Sequence, residues 1–291
     1  LPPSVFAMTI EEIQARFYKA EVARIAPLLS GKGDVRTLKL DGLTGSSYAL
    51  LASKLADKAQ STQLFVLSDR EKAAFFYNDL EKLLHDLKVP LPNKRVHYLP
   101  ASYKRAHSTD EIDNSNVKLR SEIVNKLANH PDTPYCIVSY PEAVAEKVLT
   151  QQFISQHSFT IRCGEEISAD TFLDYLYQFE YLQEDFVFEP GQFAWRGSIF
   201  DIFSFSEEYP YRIELDGDRI ESIRFFDPES QLSIRDEESI HIMPKIVSHQ
   251  IEEKRIPLLE FLPADTVLWL EHPRDIGSQI AALYRQVDEE Y

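Results

Sequence analysis

Residues 42–49 have the spacing of a phosphate-binding loop but lack the residues that make such a loop work. The pattern G-x-x-x-x-G-K-[ST] would open a helix after a strand, and Gly42 stands at its first position. Ser47 replaces the second glycine, Tyr48 the lysine and Ala49 the hydroxyl residue. In a working loop, backbone N–H groups cradle the phosphates, the lysine reaches their oxygens and the hydroxyl holds Mg²⁺. The remaining backbone donors allow weak anion binding, but the sequence excludes nucleotide hydrolysis at this loop.

Two interpretations of the loop follow from its spacing. It is either a nucleotide site that has lost its function or a tight strand-to-helix turn that never bound nucleotide, and the residues by themselves favour the turn. The degenerate loop comprises Gly42, Thr44, Gly45, Ser46, Ser47, Tyr48 and Ala49.

No other constellation in the sequence predicts catalysis. The eight histidines are scattered without a metal-binding spacing, and the two cysteines, Cys136 and Cys163, form no disulfide framework. Asp216 and Asp218 flank a glycine, which indicates a turn rather than a general acid–base pair. No nucleophile elbow and no dinucleotide-binding glycine fingerprint occurs. The sequence therefore argues against a hydrolase or a dehydrogenase in this stretch of chain, and we expect no metal site and no cofactor.

Residues 188–212 combine aromatic side chains with arginine, a composition typical of protein-interface hot spots. The alternative is an aromatic β-sheet core with two surface arginines, and the residues alone slightly favour that alternative. The residues that could contact a partner are Phe193, Trp195, Arg196, Tyr209, Tyr211 and Arg212.

The elements that must position these residues fall into two groups. Strand and helix signals alternate between residues 30 and 150, which predicts an α/β domain with a largely parallel sheet. The predicted strands there lie at 37–40, 63–67, 96–99 and 135–139, and the predicted helices at 9–29, 46–60, 117–128 and, capped by Ser68 with Glu71, up to about residue 87.

The pattern changes after residue 150 to short strands separated by turns. A helix is predicted at 169–181, capped from Ser168 or Asp170, and Asp216-Gly217 predicts a hairpin. The segment 151–243 is therefore predicted to be a small α+β domain inserted into the α/β domain, because strand and helix signals return after it. The predicted domains are 1–29 as a helical segment, 30–150 plus 244–291 as the α/β domain, and 151–243 as the insert.

Composition and charge limit the possible partners. The net charge of -16 opposes an autonomous DNA-binding surface and favours protein partners with basic surfaces. No stretch is apolar enough to span a membrane, and the start lacks the pattern of a signal peptide. The start also lacks a methionine, so we expect a piece of a longer cytoplasmic protein.

Two stretches carry a resemblance to a known family. The continuous segment 189–231 resembles the signature of the UvrB-homology module, with E-P-G-Q-F-A-W-R-G-S-I-F-D-I-F at its start and Y-P-Y-R-I-E-L-D-G-D-R-I-E-S-I-R-F-F-D-P-E-S-Q at its end. The loop at 42–49 resembles the phosphate loop of the excision-repair helicase UvrB with its working residues lost. In this order, they resemble the N-terminal region of the bacterial transcription-repair coupling factors. UvrB itself is the rival parent, but residues 100–134 leave no room for its long β-hairpin beside the predicted helix.

The resemblance implies a fold and a function. The fold would be a P-loop-like, helicase-type parallel-sheet domain with an inserted small α+β domain, and the loop would be a disabled ancestral nucleotide site. The insert would dock UvrA through Arg196 and Arg212, with Trp195, Phe193 and Tyr211 beside them. ATP and Mg²⁺, RNA polymerase, duplex DNA and an autoinhibitory C-terminal domain would belong to parts of the parent outside this chain. The alternative is a UvrB-like core with residual nucleotide or DNA affinity.

One departure from the family pattern affects docking. The family often has two aromatic residues after R-I-E, whereas Leu215 and Asp216 stand there in this chain. An apolar contact at the second position would be lost, so the partner would dock differently.

Overall fold

The secondary structure is known for most of the chain. The computed structural model describes residues 12, 19–30, 37–56, 58–86, 89, 94–103, 113–205, 207–243 and 254–290. The helices in these ranges are α1 (Lys19–Ile25), continued by a 3₁₀ turn (Ala26–Ser30), α2 (Ser47–Ala56), α3 (Arg70–Leu83), α4 (Asn114–Asn129), α5 (Pro141–Ala145), α6 (Gln151–His157), α7 (Ala169–Gln178), α8 (Leu258–Phe261) and α9 (Pro273–Glu290). The strands are β1 (Gln63–Val66), β2 (Val96–Tyr98), β3 (Cys136–Ser139), β4 (Val148–Leu149), β5 (Phe159–Arg162), β6 (Leu182–Gln183), β7 (Gln192–Arg196), β8 (Ile199–Ile202), β9 (Tyr211–Asp216), β10 (Arg219–Phe226), β11 (Ser233–Asp236), β12 (Ser239–Ile242), β13 (Arg255–Ile256) and β14 (Val267–Leu270).

The chain divides into two units. The first contains Leu1–Tyr98, Asp132–Pro141 and Pro263–Tyr291, and the second contains Leu99–Pro131 and Glu142–Leu262. The predicted insert, 151–243, lies inside the second unit, which also includes α4 and β13. The boundaries predicted for the insert stay a prediction.

A parallel sheet forms the centre of the first unit. Its strand order is β14-β1-β3-β2, and all three pairings between neighbours are parallel. Every residue of β1 and β3 is buried, as expected for parallel strands that are covered on both faces. The prediction of a mixed α/β fold with a parallel sheet is thus confirmed, including the return of the chain after the insert through β14.

The strand predicted at 37–40 was wrong. These residues are described and form no strand, and the chain bends at Gly42 before the turn that opens α2. Leu38 is exposed, and Lys39 pairs with Asp41 in solvent at 3.1 Å. The alternation of T-L-K-L fits a strand, but these residues bury no apolar face here. Joining the sheet would therefore bring no stabilisation from apolar burial.

Two helix caps show how local sequence sets helix starts. The side chain of Ser168 accepts a hydrogen bond from the N–H of Thr171 and starts α7, as predicted. Asp69, rather than Ser68, caps α3, because its carboxylate accepts from the N–H of Lys72 at 2.8 Å.

A six-stranded sheet dominates the second unit, with the order β11-β10-β9-β8-β7-β6. Its pairings are antiparallel except that between β6 and β7. Helix α7 packs its buried residues Phe172 and Leu176 into one hydrophobic core with Phe193, Phe200 and Ile213 of the sheet. The predicted hairpin after Asp216 is confirmed by the pairing of β9 with β10.

Gly191 lies where no other residue fits without movement. Its φ is +87°, and a Cβ at this position would lie 2.4 Å from the Cζ of Phe205. The buried ring of Phe205 therefore packs directly against the backbone that enters β7.

We expect Gly191→Ala to reduce the free energy of unfolding by about 1–3 kcal/mol more than Gly217→Ala does, because overpacking adds to backbone strain. Gly217 is a matched control, since its φ is +62° and nothing lies within 4 Å of a Cβ there. Urea unfolding followed by circular dichroism measures both changes. Equal losses in the two variants would contradict the steric explanation.

Candidate partner-binding site

The six-stranded sheet separates the predicted partner-binding residues onto two faces. Phe193 and Tyr211 point into the core on the α7 side and are buried. Trp195 points to the same side at the end of β7, where it stacks on Phe200 and keeps 37% of its surface exposed. Arg196 and Arg212 lie on the opposite face, which we call the outer face. In this arrangement a partner can contact Trp195 and the arginines but not Phe193 or Tyr211. Successive side chains of a strand point to opposite faces, and burial alternates accordingly along β9, so this period of two is the sequence signal that distinguishes the two sets.

A buried carboxylate joins the two arginines. Asp201 of β8 is fully buried, and its Oδ1 accepts from Nε of Arg212 at 2.7 Å while its Oδ2 accepts from Nη2 at 2.8 Å. Arg196 donates to the same Oδ2 through its own Nη2. The strand register causes this meeting, because Asp201 lies directly opposite Arg212 and diagonal to Arg196. The hydrogen bond with Asp201 raises the pKa of Arg212, so its charge is permanent.

Further contacts fix the orientation of each guanidinium. Arg212 lies over the ring of Phe226 at 4.4 Å and donates to the Oε1 of Gln231 at 3.0 Å. Arg196 lies over the ring of Phe186 at 4.9 Å and donates to the carbonyl oxygen of Asp185 at 2.5 Å. Arg196 is the more accessible of the two, with 38% of its side chain exposed against 16% for Arg212.

Sequence reasoning missed three of these partners. Asp201 lies inside the quoted motif, but its role depends on pairing between strands, which no local pattern shows. Gln231 is the last residue of that motif and Phe186 belongs to the loop before it, and both meet the arginines only in the folded sheet.

A second ion pair lies on the same sheet. Arg224 of β10 donates to Glu214 of β9, whose other oxygen accepts from Ser222 at 3.0 Å. Asp216, which stands where the family often has an aromatic residue, is exposed at the end of β9.

The degenerate phosphate loop satisfies part of its own backbone. The Oγ of Ser47 accepts from the N–H of Thr44 at 2.8 Å and donates to the carbonyl oxygen of Thr44 at 2.7 Å. Gly42 and Gly45 have positive φ values, +86° and +53°, and Ser46 lies in the turn that opens α2. Ser47 therefore uses one of the backbone donors that a phosphate would need.

Tyr48 packs into the core of the first unit instead of replacing the lysine at a phosphate. Its ring centroid lies 4.9 Å from that of Phe76 and 6.3 Å from that of Phe65. Burial raises the pKa of Tyr48 well above its usual range, and Ala49 beside it is also buried. The side chain that would reach the phosphates thus belongs to the hydrophobic core.

In the part of the chain that the structure describes, no group of three His, Cys, Asp or Glu side chains is placed to hold a metal ion. No helix among these residues combines the length and apolar character needed to cross a membrane.

Comparison with known proteins identifies the region that carries the arginine pair. Residues 159–246 match the family model of the UvrB interaction domain. The second unit therefore contains a segment similar to a UvrB interaction domain. It is 24% identical to the transcription-repair-coupling factor of Escherichia coli (strain K12) over 245 residues, which are 83% of this chain and 20% of that protein. It is 32% identical to the transcription-repair-coupling factor of Bacillus subtilis (strain 168) over 209 residues, 70% of this chain and 17% of that protein.

UvrB itself is also among the relatives. The chain is 28% identical over 225 residues to UvrABC system protein B of Micrococcus luteus, and the match covers 73% of this chain and 30% of that protein. The resemblance stated from the motifs is thus confirmed. The chain spans less than a third of the length of each of these relatives, and the interaction-domain match includes Phe186, Arg196, Asp201 and Arg212.

On the core side of the sheet, Tyr211 forms a hydrogen bond with the carboxyl group of Glu207, whose pKa is raised. Burial raises the pKa of Glu207 to about 7, although the hydrogen bond with Tyr211 lowers it. Glu122 and Glu237 act in the same direction as burial, and Arg235 opposes them. Tyr211 therefore anchors the start of β9 from the core side rather than at a partner.

We expect the free energy of unfolding to fall as the pH rises from about 4.5 to about 7, by roughly 1–3 kcal/mol from Glu207 alone. Over this range the folded state holds a proton that the unfolded state has released, so stability is full below the unfolded pKa and is lost towards the folded pKa. Urea midpoints measured across this pH range should depend less on pH in Glu207→Gln. Glu208→Gln is the control, because Glu208 is exposed. The same pH dependence in wild type and Glu207→Gln would show that this carboxyl does not titrate as stated.

Proposed function

We propose that this chain is the UvrA-recruiting module of a transcription-coupled nucleotide excision repair factor. The observation that carries the proposal is that the match to the UvrB interaction domain, 159–246, coincides with the sheet that holds the arginine pair. The names of the relatives, transcription-repair-coupling factor and UvrABC system protein B, support excision repair as the setting.

The geometry suits recognition more than catalysis. The guanidinium groups of Arg196 and Arg212 are held by a common carboxylate and by aromatic rings, so little side-chain freedom is lost when a partner binds. Arginine also offers further N–H groups beyond those used by Asp201, and these suit carboxylate and carbonyl acceptors. We therefore propose that the exposed edge of Arg196 contacts UvrA and that Arg212 supports it.

The same proposal assigns no nucleotide to the loop at 42–49. Tyr48 fills core space, Ser47 uses a backbone donor of Thr44, and the strand that should precede the loop does not form. These features favour a P-loop-like, helicase-type domain whose nucleotide site is disabled. The former loop now serves only as the turn that leads into α2.

The full-length parent would be an ATP-dependent DNA translocase that displaces stalled RNA polymerase. ATP and Mg²⁺, duplex DNA and polymerase would bind to motor domains outside this chain, and a C-terminal domain would cover the UvrA surface until it is needed. The alternative function, a UvrB-like core with residual nucleotide or DNA affinity, rests on the similarity to UvrB.

We expect this chain to bind purified UvrA in calorimetry and Arg196→Ala to raise the Kd at least about tenfold, the effect of a moderate hot spot. Arg162→Ala is the control, since Arg162 is an exposed arginine of β5 with one acidic neighbour, Glu165.

Arg212 needs a different design. Removing it alone takes two hydrogen bonds from the buried Asp201, whereas removing Arg196 takes one, and this loss destabilises the fold. Arg212→Ala is therefore made together with Asp201→Asn.

A thermal melt of each variant verifies its fold before binding is measured. Failure of the wild type to bind UvrA would refute the proposed function. Equal affinity of wild type, Arg196→Ala and Arg162→Ala would keep UvrA as partner but move the contact away from Arg196.

A ligand that binds only the folded state raises stability by RT ln(1 + [L]/Kd). Because the loop at 42–49 is proposed to bind no nucleotide, we expect millimolar ATP with Mg²⁺ to leave the melting temperature of this chain unchanged. A protein with an intact phosphate loop, such as UvrB, serves as the positive control. Stabilisation by ATP that also occurs with ADP, or salt-sensitive binding of duplex DNA, would favour the UvrB-like alternative.

A further inference from the structure

One edge of the six-stranded sheet exposes large apolar side chains. We call residues 182–189, L-Q-E-D-F-V-F-E, the aromatic edge; the segment begins with the outermost strand β6. Leu182, Phe186 and Phe188 are each more than half exposed. Clustered exposed apolar groups are a feature of interaction sites rather than of ordinary surface.

The two rings are held outward by a buried residue between them. Val187 is fully buried in a small cluster with Ala194, Phe203 and Phe226. Phe186 and Phe188 flank Val187 in the chain, and both rings remain more than half exposed while Val187 is buried between them. Their ring centroids are 6.5 Å apart, so they form one surface.

Hydrogen bonds fix both ends of this segment. The Oε1 of Gln192 accepts from the N–H of Phe188 at 2.8 Å and from that of Glu189 at 2.9 Å. At the other end, the carbonyl oxygen of Asp185 accepts from Arg196. The rings are thus ordered before any partner arrives, which reduces the entropic cost of binding.

The charge around the aromatic edge is acidic. Glu184, Asp185 and Glu189 are exposed beside the rings. The nearby Arg196 shares the buried carboxylate of Asp201 with Arg212, so part of its charge is balanced inside the sheet. A partner that approaches the rings therefore meets carboxylates first, in agreement with the net charge of -16.

We propose that the aromatic edge is the apolar part of the UvrA-docking surface, and that it takes a recess of apolar side chains on UvrA bordered by lysine or arginine. This inference rests on the proposed function and adds the chemistry of the partner's surface. The aromatic edge adjoins Arg196 through the ring of Phe186. The basic border is required by the acidic groups that surround the rings.

The rings are tested by calorimetry of this chain with UvrA. Phe186→Ser/Phe188→Ser should raise the Kd at least about tenfold, because buried aromatic anchors dominate interface energetics. Phe75→Ser is the matched control, since Phe75 of α3 is exposed to a similar degree and lies in the other unit. Phe186→Leu/Phe188→Leu, which keeps apolar side chains at both positions, should bind UvrA with most of the wild-type affinity. A weak serine pair beside a strong leucine pair would show that apolar contact, and not the fold, was lost.

The charges are tested by a second pair of variants. Glu184→Gln/Asp185→Asn/Glu189→Gln should weaken binding and reduce its dependence on salt. The control Glu229→Gln/Asp236→Asn/Glu238→Gln removes the same charge from exposed positions in or near β11, at the opposite edge of the sheet, and should leave both quantities nearly unchanged.

The outcomes separate this inference from the proposed function. If wild type binds UvrA and Arg196→Ala weakens it while the serine pair binds like wild type, the aromatic edge is not part of the interface and only this inference falls. If both charge triples weaken binding equally, the basic border is wrong. Absence of wild-type binding refutes both the proposed function and the inference.

Discussion

The six-stranded sheet depends on the ion pairs of one buried carboxylate, that of Asp201, with Arg196 and Arg212. A charge without exposure is costly unless it is paired and hydrogen-bonded, and here two guanidinium groups from neighbouring strands satisfy it. The pairing requires the observed register of β7, β8 and β9, since a shift by one residue would turn the arginines to the α7 side. Arg196 and Arg212 are therefore structural ion-pair partners first, and the part of each that remains exposed is what a partner can use.

Local signals account for most elements that the sequence predicted. The buried runs of β1 and β3, the cap at Ser168 and the glycine turn between β9 and β10 each depend on neighbours in the chain, and each formed as predicted. The strand at 37–40 failed because alternation alone cannot show whether a sheet edge exists to receive it.

The candidate site was harder to predict, since its geometry joins distant residues. The motif singled out Arg196 and Arg212, whose role in binding stays a prediction, but it grouped Phe193 and Tyr211 with them although alternation turns both into the core. Asp201 and the ring beneath Arg196 depend on strand pairing and on the loop before β7, so no local pattern could show them. Tyr48 is a related case, because the substitution that removes a lysine from the loop also adds a ring to the core, and only the structure shows that second effect.

The proposed docking surface divides its work between charge and apolar area. Asp201 already uses part of each guanidinium, so a new acceptor on the partner can use only the N–H groups that remain exposed, chiefly those of Arg196. Arg196 also has a geometric role, since it lies over the ring of Phe186 and donates to the carbonyl oxygen of Asp185, which holds one end of the aromatic edge. The rings then offer apolar area that is already ordered, and the surrounding carboxylates select a basic border over an acidic one. The rings would thus supply most of the affinity and the charges the selectivity. Asp201 supports both, because it holds the guanidinium of Arg196, which lies over the ring of Phe186.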